Sequence, residues 1–159
     1  MMLKKGLLGL LLLLLLAACA KDNTQAELDQ LGRAYVEAMY QVKAGEYPEE
    51  PAASDRVKPF LTTELYDQFW KERKGGWVLY LAEGNNSGVE VSSFRMEKEG
   101  EDKSKGERNY TYTLELVITG PKGEKTVTLE GHIGFVQQDG RWLIYRDYGD
   151  MLKEKDFAL

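Results

Sequence analysis

The only histidine of the chain, His132, has one candidate partner for acid–base chemistry, Asp147. A carboxylate that orients an imidazole is the usual way in which a histidine is prepared to accept a proton. The dipeptide Asp139-Gly140 predicts a two-residue hairpin turn, and the register of that hairpin places Asp147 directly across from His132. The same spacing fits an exposed cross-strand contact, and no nucleophile is predicted beside the pair. We therefore assign no catalytic residue and keep His132 and Asp147 as the candidates for one.

The rest of the composition argues against several kinds of site. With one histidine and one cysteine, the sequence has no cluster of the nitrogen and sulfur ligands that bind transition metals. It also has no glycine-rich phosphate loop and no Gly-x-Ser-x-Gly motif of the hydrolase type. We predict neither a metal nor a cofactor.

A set of aromatic residues falls on the faces that the predicted helices and strands turn inwards. Together they could line a pocket for a flat apolar ligand, with the phenol groups as polar fixing points. The alternative is core packing, since tyrosine and tryptophan fill the open end of a core while their polar atoms stay in contact with water. The set comprises Tyr35, Tyr66, Trp70, Tyr110, Tyr112 and Trp142.

A second set of residues lies on the opposite face of the predicted sheet and is apolar where contact with water is expected. Residues two apart in a strand share a face, so these side chains stand together on the side that helices do not cover. An apolar cluster in such a place is typical of a partner or dimer surface. The set comprises Val117, Val136, Leu143 and Tyr145.

Helical periodicity predicts the elements of the first half of the chain. Apolar residues recur at helical spacing over residues 28–42 and again over residues 57–70. The pair Gly75-Gly76 is expected to end the second helical region. The short apolar run at residues 77–81 fits a helix or a strand equally well.

From residue 88 onward the apolar spacing changes to two, which predicts four antiparallel strands. The apolar residues change from odd positions (Val89, Val91) to even positions (Phe94, Met96), which indicates a β-bulge near Ser92-Ser93. The highly charged segment 97–107 is expected to be a hairpin loop. A turn at residues 121 and 122 sets Leu114 opposite Leu129.

The Asp-Gly turn likewise sets Phe135 opposite Ile144, so apolar residues meet in both hairpins. Helices followed by an antiparallel meander are typical of the α+β class, with the helices packed on one face of the sheet.

The first 18 residues have the layout of a secretory signal segment. A positive start at Lys4-Lys5 is followed by an apolar run to Ala18. This run is shorter than the about 20 residues that a membrane-spanning helix needs, so we expect residues 1–18 to be removed. The sequence Leu16-Ala17-Ala18-Cys19 resembles the lipobox of bacterial lipoproteins. That resemblance implies that the thiol of Cys19 carries diacylglycerol and that Cys19 becomes the first residue of the mature chain.

Ordinary cleavage at Ala18-Cys19-Ala20 is the alternative, but the only cysteine of the chain stands at this junction, which favours lipidation. Residues 19–23 would then be a short tether and residues 24–159 a single domain. The chain has 21 basic and 26 acidic side chains, and removal of Lys4-Lys5 leaves 19 against 26, a net charge of −7. Nucleic acid and anionic lipid repel an acidic domain. We therefore expect no nucleic-acid partner, and membrane attachment through a diacyl anchor.

Beyond the tether the chain resembles the NTF2-like, cystatin-like lipoproteins of bacteria. The resemblance rests on Val57-Lys58-Pro59-Phe60-Leu61-Thr62, on the long hairpins, and on the strand Asp139-Gly140-Arg141-Trp142-Leu143-Ile144. It covers residues 24–148. It implies helices packed on a curved four-stranded antiparallel sheet, with a cone-shaped cavity between them. It implies no activity, since this fold serves enzymes, ligand carriers and interaction modules alike.

The resulting functional hypothesis is a lipoprotein of the bacterial cell envelope, with its domain on the extracytoplasmic side. The domain would act without catalysis, by binding a second copy of itself or an envelope protein. One alternative is a carrier or sensor that holds a small apolar ligand in an aromatic cavity, and another is an isomerase or dehydratase of the same fold. The cavity distinguishes the three, because an ionisable group at its floor favours the enzyme, an apolar hollow the carrier, and a filled core the interaction module.

Overall fold

The computed structural model describes residues 23–49, 51–72 and 74–159. Within these ranges the chain forms helices first and then one antiparallel sheet, which confirms the predicted α+β class. The signal segment 1–18 and Cys19 lie outside the described residues. The helices are α1 (residues 23–40), α2 (Ala52–Asp55), α3 (Thr63–Lys71) and α4 (Lys74–Gly84), with a 3-10 turn at Lys58–Phe60 between α2 and α3.

The sheet is a meander in which each strand pairs with the next one along the chain. As predicted, Leu114 lies opposite Leu129, and the predicted bulge is present as a register shift between Val91 and Ser93. The strands are β1 (Gly88–Asp102), β2 (Glu107–Gly120), β3 (Gly123–Gln138) and β4 (Arg141–Gly149).

The charged segment 97–107, predicted to be a loop, is mostly strand. Its pairing continues to Asp102 opposite Glu107, so only residues 103–106 form the turn. The prediction was wrong because charged side chains project from the sheet into water while the backbone groups between them still pair.

The pair Gly75-Gly76 does not end a helix, since both residues lie inside α4. Val78, Leu81 and Ala82 of this helix are buried in the core. Glycine lowers helix stability by about 1 kcal/mol relative to alanine, and the apolar burial of this helix outweighs that cost.

The core lies between the helices and the inner face of the sheet. The chain after α1 is joined to β1 by two backbone hydrogen bonds between Val42 and Val89, of 2.9 and 2.8 Å. At the opposite edge, the N–H of Thr62 donates to the carbonyl of Ile144 (2.9 Å), while the Thr62 hydroxyl caps α3. In the described ranges no helix combines the length and the apolar character that crossing a membrane requires. Fully buried core residues include Leu28, Tyr35, Tyr110, Leu114, Leu116, Ile118, Ile133, Phe135 and Ile144.

Candidate functional site

The two catalytic candidates lie on opposite faces of the sheet. A register shift next to Gly134 places Tyr148 opposite His132, and it moves Asp147 to the inner face, opposite Ile133. The predicted pairing of His132 with Asp147 is therefore wrong. A bulge adds one residue to one strand and so reverses the facing of every residue beyond it.

On the outer face, His132 belongs to an exposed cluster of aromatic and charged side chains. Its ring stacks on the ring of Tyr148, with centroids 4.7 Å apart and planes at 18°. Its Nδ1 lies 3.2 Å from Oε2 of Glu99, and Nη2 of Arg146 lies 3.8 Å from the same oxygen. The guanidinium of Arg146 also lies over the Tyr148 ring, 5.2 Å from its centroid. Because Tyr148 is 50% exposed, this cluster presents a flat aromatic surface and charges of both signs to solvent.

The cluster borders an open trough of about 870 Å³ on the outer face of the sheet. We call it the outer trough. Its side chains offer hydroxyl, carboxylate, guanidinium and imidazole groups, which can bind polar and charged groups of either sign. The side chains that line it come from all four strands and the residue after β4, and they are Arg95, Glu97, Thr111, Thr113, Glu130, His132, Tyr148 and Asp150.

On the inner face, two tyrosine hydroxyls hold Asp147 between α1 and β2. Tyr35 donates to Oδ2 of Asp147 at 2.5 Å, and Tyr112 donates to Oδ1 at 3.4 Å. Burial raises the pKa of Asp147, and the tyrosine hydrogen bonds and the positive charge of Lys74 offset only part of that rise. Burial and the Asp147 charge also raise the pKa values of Tyr35 and Tyr112. Both phenols therefore stay protonated and continue to donate.

This half-buried carboxylate is a structural tie between α1 and the sheet. Tyr35 and Tyr112 are only 1% and 6% exposed, so the fold covers the hydroxyl groups that contact Asp147. The Tyr112 ring lies so close to Gly131 that a Cβ there would stand 2.5 Å from the phenol oxygen. Only glycine permits this approach.

The six aromatic residues predicted to line a pocket lie in separate surroundings. Tyr35 and Tyr112 meet at Asp147, as described. Tyr110 packs edge-on against Phe135, with ring centroids 5.7 Å apart, and its hydroxyl donates to Oε1 of Gln25 on α1 (2.9 Å). These three tyrosines fill the core, as the packing alternative predicts.

The other three members of that set are at the periphery. Tyr66 donates to Oδ1 of Asp55 (2.7 Å), and Trp142 lies 5.4 Å from the guanidinium of Arg108. Trp70 is 44% exposed on α3. The set therefore does not enclose one aromatic cavity, because its members belong to different layers of the fold.

The four apolar residues of the predicted interaction face do not form one cluster. Val136 lies opposite Leu143 on β4 and opposite Glu107 on β2. Val117 lies further along β2 and pairs with Thr126. At about 3.3 Å per residue, Glu107 and Val117 are separated by roughly 30 Å. The prediction grouped residues by face and overlooked the length of the strands.

The remaining residues of that face are also less available than predicted. Leu143 is only 7% exposed. The ring of Tyr145 lies across Gly134, where a Cβ would stand 2.6 Å from its Cε1. The Tyr145 hydroxyl donates to Oδ1 of Asn109 (2.9 Å). The outer trough, by contrast, is lined by exposed residues that include Tyr148 and Glu130.

A separate apolar surface lies between α4 and the segment that follows β4. Trp77 and Tyr80 stack with ring centroids 5.8 Å apart and planes at 23°, and they are 37% and 64% exposed. The indole N–H of Trp77 donates to the carbonyl of Leu152 (2.9 Å), which fixes the ring against that segment. We call this surface the aromatic groove. It measures about 810 Å³ and is lined by Glu72, Lys74, Gly76, Trp77, Tyr80, Met151, Leu152 and Lys153.

The aromatic groove was not predicted from the sequence. The run 77–81 fits helix and strand alike, and in a strand Trp77 and Tyr80 would point to opposite faces. In the helix they are three residues apart and therefore adjacent, while Val78 and Leu81 face the core. The available signal was the Trp-x-x-Tyr spacing itself.

Comparison with protein-family models and with curated proteins gives no match. Solved structures do share the fold. The IcmL-like type IV secretion system protein of Legionella pneumophila is 11% identical, with a TM-score of 0.57 over 80% of this chain and 94% of that one. CagV of Helicobacter pylori, described as a VirB8 homolog of a type IV secretion system, is 12% identical, with a TM-score of 0.58 over 80% of this chain and 99% of that one.

A periplasmic fragment of TraM is 12% identical, with a TM-score of 0.50 over 79% of this chain and 96% of that one. At these identities the likeness concerns the fold alone. It supports the NTF2-like arrangement predicted from the sequence, with helices packed on a curved four-stranded antiparallel sheet.

Proposed function

We propose that this chain is a lipid-anchored protein of the bacterial envelope whose NTF2-like domain acts as a non-enzymatic interaction module. The observation that carries the proposal is the exposure of the aromatic and charged side chains around Tyr148 on the outer face of the sheet. Tyr148 is 50% exposed, whereas Asp147 on the inner face is half-buried and accepts hydrogen bonds from Tyr35 and Tyr112. Such a face suits the polar rim and aromatic anchor of a protein interface.

The partner that we propose is an envelope protein bound at the outer trough. The neighbours in fold support this choice, because two of them are secretion-system proteins and the TraM fragment is periplasmic. The lining of the trough carries both charge signs, with Arg95 as well as the carboxylates of Glu97, Glu130 and Asp150. A surface with this pattern selects partners by matching charges, which affects specificity more than affinity.

The anchor that we propose is the Cys19 thiol, acylated after removal of residues 1–18. It would hold the domain of residues 24–159 at the extracytoplasmic side of the membrane through the tether of residues 19–23. A single acyl chain binds a bilayer only marginally, so a diacyl group is the sufficient form of this anchor.

Replacing the anchor residue should abolish membrane attachment of the mature protein. In cells fed labelled fatty acid, the wild type should take up label and sediment with membranes. Cys19→Ser should take up none, because no other thiol is present, and should remain as unprocessed precursor or appear in the soluble fraction. Serine has nearly the size of cysteine, so Cys19→Ser removes little besides the thiol. Ala20→Ser introduces the same residue one position later and keeps the thiol, and this matched control should behave like the wild type. Absence of label from the wild type would refute the anchor.

A photo-crosslinking residue placed in the outer trough should join the protein to its partner in living cells. We expect a discrete adduct from Thr113, on the outer face of β2, and none from Glu64, which is exposed on α3. Tyr148→Asp should weaken binding about thirtyfold and reduce the Thr113 adduct accordingly, since hot-spot aromatic residues contribute about 2 kcal/mol or more. Mass spectrometry would identify the adduct, with an adduct of twice the chain mass indicating a second copy. Equal crosslinking from both positions would contradict a specific surface.

A further inference from the structure

The aromatic groove is an apolar surface that the proposed interaction face does not use. Tyr80 is 64% exposed, more than the other large apolar residues that stand out from the described surface. Trp77 beside it is held by its hydrogen bond to Leu152. We propose that this groove binds the surface of a phospholipid bilayer with anionic headgroups and so sets the orientation of the domain on the membrane. The inference rests on the proposed lipid anchor only for bringing the domain to that membrane.

The side chains of the groove have the chemistry of the bilayer interface. Tryptophan and tyrosine concentrate where one end of a side chain must be apolar and the other wet. Met151 and Leu152 extend this apolar surface beyond the stacked rings. The indole is already fixed by a hydrogen bond and by stacking, so little conformational freedom is lost when it enters the interface.

The charges at the rim of the groove favour anionic headgroups, although the chain from residue 19 onward carries a net charge of −7. Lys74 and Lys153 both line the groove, and Glu72 is the one carboxylate among its lining residues. Glu72 pairs with Lys74 at 2.8 Å, which leaves the lining with a net positive charge. Exposed charges act over a screening length of about 8 Å at physiological salt. Of the acidic residues just after Lys153, Glu154 is followed by Lys155 and Asp156 lies 3.9 Å from Lys125. A headgroup that touches the groove therefore meets a lining in which two lysines outweigh one carboxylate.

The tether joins the domain at the same level of the sheet as the groove. Gln25, near the start of α1, accepts a hydrogen bond from Tyr110 of β2. Tyr110 lies opposite Ile133 of β3, and Ile133 lies opposite Asp147 of β4. Lys74 is close enough to act electrostatically on Asp147. The start of α1 and the rim of the groove thus lie at the same level of the sheet. The residues between Cys19 and α1 reach about 15 Å even when fully extended.

The test uses the mature chain from residue 19 with Cys19→Ser, so that no acyl group contributes to binding. We expect it to sediment with vesicles of phosphatidylcholine and phosphatidylglycerol, and more weakly with phosphatidylcholine alone. Lys153→Gln should lower the partition coefficient for the anionic vesicles about fivefold, the effect of one lysine near such a surface. Tyr80→Ser should lower it by about fivefold as well, through lost apolar contact.

The matched control is Tyr148→Ser, which removes an aromatic residue of similar exposure from the outer face of the sheet. It should leave the partition coefficient unchanged, and all variants should melt at the wild-type temperature. Three results would overturn the inference: no sedimentation with anionic vesicles, binding that survives Tyr80→Ser, or an equal loss in Tyr148→Ser. A dimer in the ultracentrifuge that Tyr80→Ser dissociates, without vesicle binding, would assign the groove to a second copy instead.

Failure of this inference can be told apart from failure of the proposed anchor. Labelled fatty acid on Cys19 together with no vesicle binding by the unacylated chain would refute the inference and leave the anchor intact. Vesicle binding through Tyr80 without any label on Cys19 would refute the anchor and leave the inference intact.

Discussion

Leu114→Lys is expected to unfold the domain. Leu114 is fully buried at the centre of the sheet, between Phe94 on β1 and Leu129 on β3. A lysine there would place an unpaired ammonium group in apolar surroundings. We expect it to lower the unfolding free energy by more than about 4–5 kcal/mol, a loss that few substitutions cause. Domains have unfolding free energies of only about 5–15 kcal/mol in total. Most molecules of the variant should therefore be unfolded and show no cooperative melting transition. Circular dichroism during thermal melting would measure this.

Thr113→Lys is the matched control, because it introduces the same side chain one residue away on the outer face. Thr113 lies between Arg95 and Glu130 and lines the outer trough, so the new ammonium group would remain in water. Its effect on unfolding free energy should stay within about 0.5 kcal/mol, as is usual for surface substitutions. A folded Leu114→Lys protein, or an unfolded Thr113→Lys protein, would show that the two faces are assigned the wrong way round.

Asp147→Asn is expected to change how the stability of the domain depends on pH. Burial raises the pKa of Asp147 in the folded protein above its value in the unfolded chain. The folded state therefore holds the proton more strongly, and the stability from this group is fully present below the unfolded pKa. It is lost as the pH rises through the folded pKa. Each tenfold difference in proton affinity between the two states is worth about 1.4 kcal/mol.

Asparagine keeps the shape of the side chain but has no proton to lose. The unfolding free energy of Asp147→Asn should therefore lack the decline that the wild type shows as the pH rises from acid to neutral. At neutral pH the variant should be at least as stable as the wild type, provided that its amide keeps the hydrogen bonds with Tyr35 and Tyr112. Urea unfolding at a series of pH values measures both quantities.

Two further variants make this result specific. Tyr35→Phe removes a hydrogen bond that lowers the pKa of Asp147, so the decline in stability should extend to higher pH. Asp67→Asn removes a negative charge from the exposed face of α3 and controls for the change in net charge alone. If the wild-type decline persists unchanged in Asp147→Asn, then this carboxylate is not the group responsible.

These stability variants also separate the tie at Asp147 from the two surfaces proposed to act. Tyr35 and Leu114 are buried and Asp147 is bonded to Tyr35, whereas Tyr148 and Tyr80 are half exposed or more. A loss of crosslinking or of vesicle binding in a variant with wild-type stability therefore reports on a surface. The same loss in a destabilised variant reports on the fold.

The sequence by itself determined the class of the fold and the pairing of its longest hairpins. Apolar residues at spacings of three and four, and then of two, indicate which face of each element is buried, because helices and strands repeat at those periods. Leu114 opposite Leu129 and Phe135 opposite Ile144 followed from the turns alone. The prediction held because hairpin register depends on residues close together in the chain.

The sequence could not determine which face of the sheet the residues beyond the bulge in the second hairpin occupy. A single added residue next to Gly134 moved Asp147 from the exposed face, where His132 remains, to the hydroxyl groups of Tyr35 and Tyr112. The cause lies in long-range packing. The carboxylate is stabilised in this half-buried position because Tyr35 of α1 brings a second donor from a distant part of the sequence.

The surfaces proposed to act were likewise decided by the tertiary structure. Trp77 and Tyr80 form a groove only because their segment is helical and packs beside Leu152. The Leu152 carbonyl, which accepts the hydrogen bond of the Trp77 indole, lies 75 residues further along the chain. The outer trough draws its lining from all four strands and the residue after β4. Periodicity describes each element separately, and a binding surface depends on which exposed residues several elements bring together.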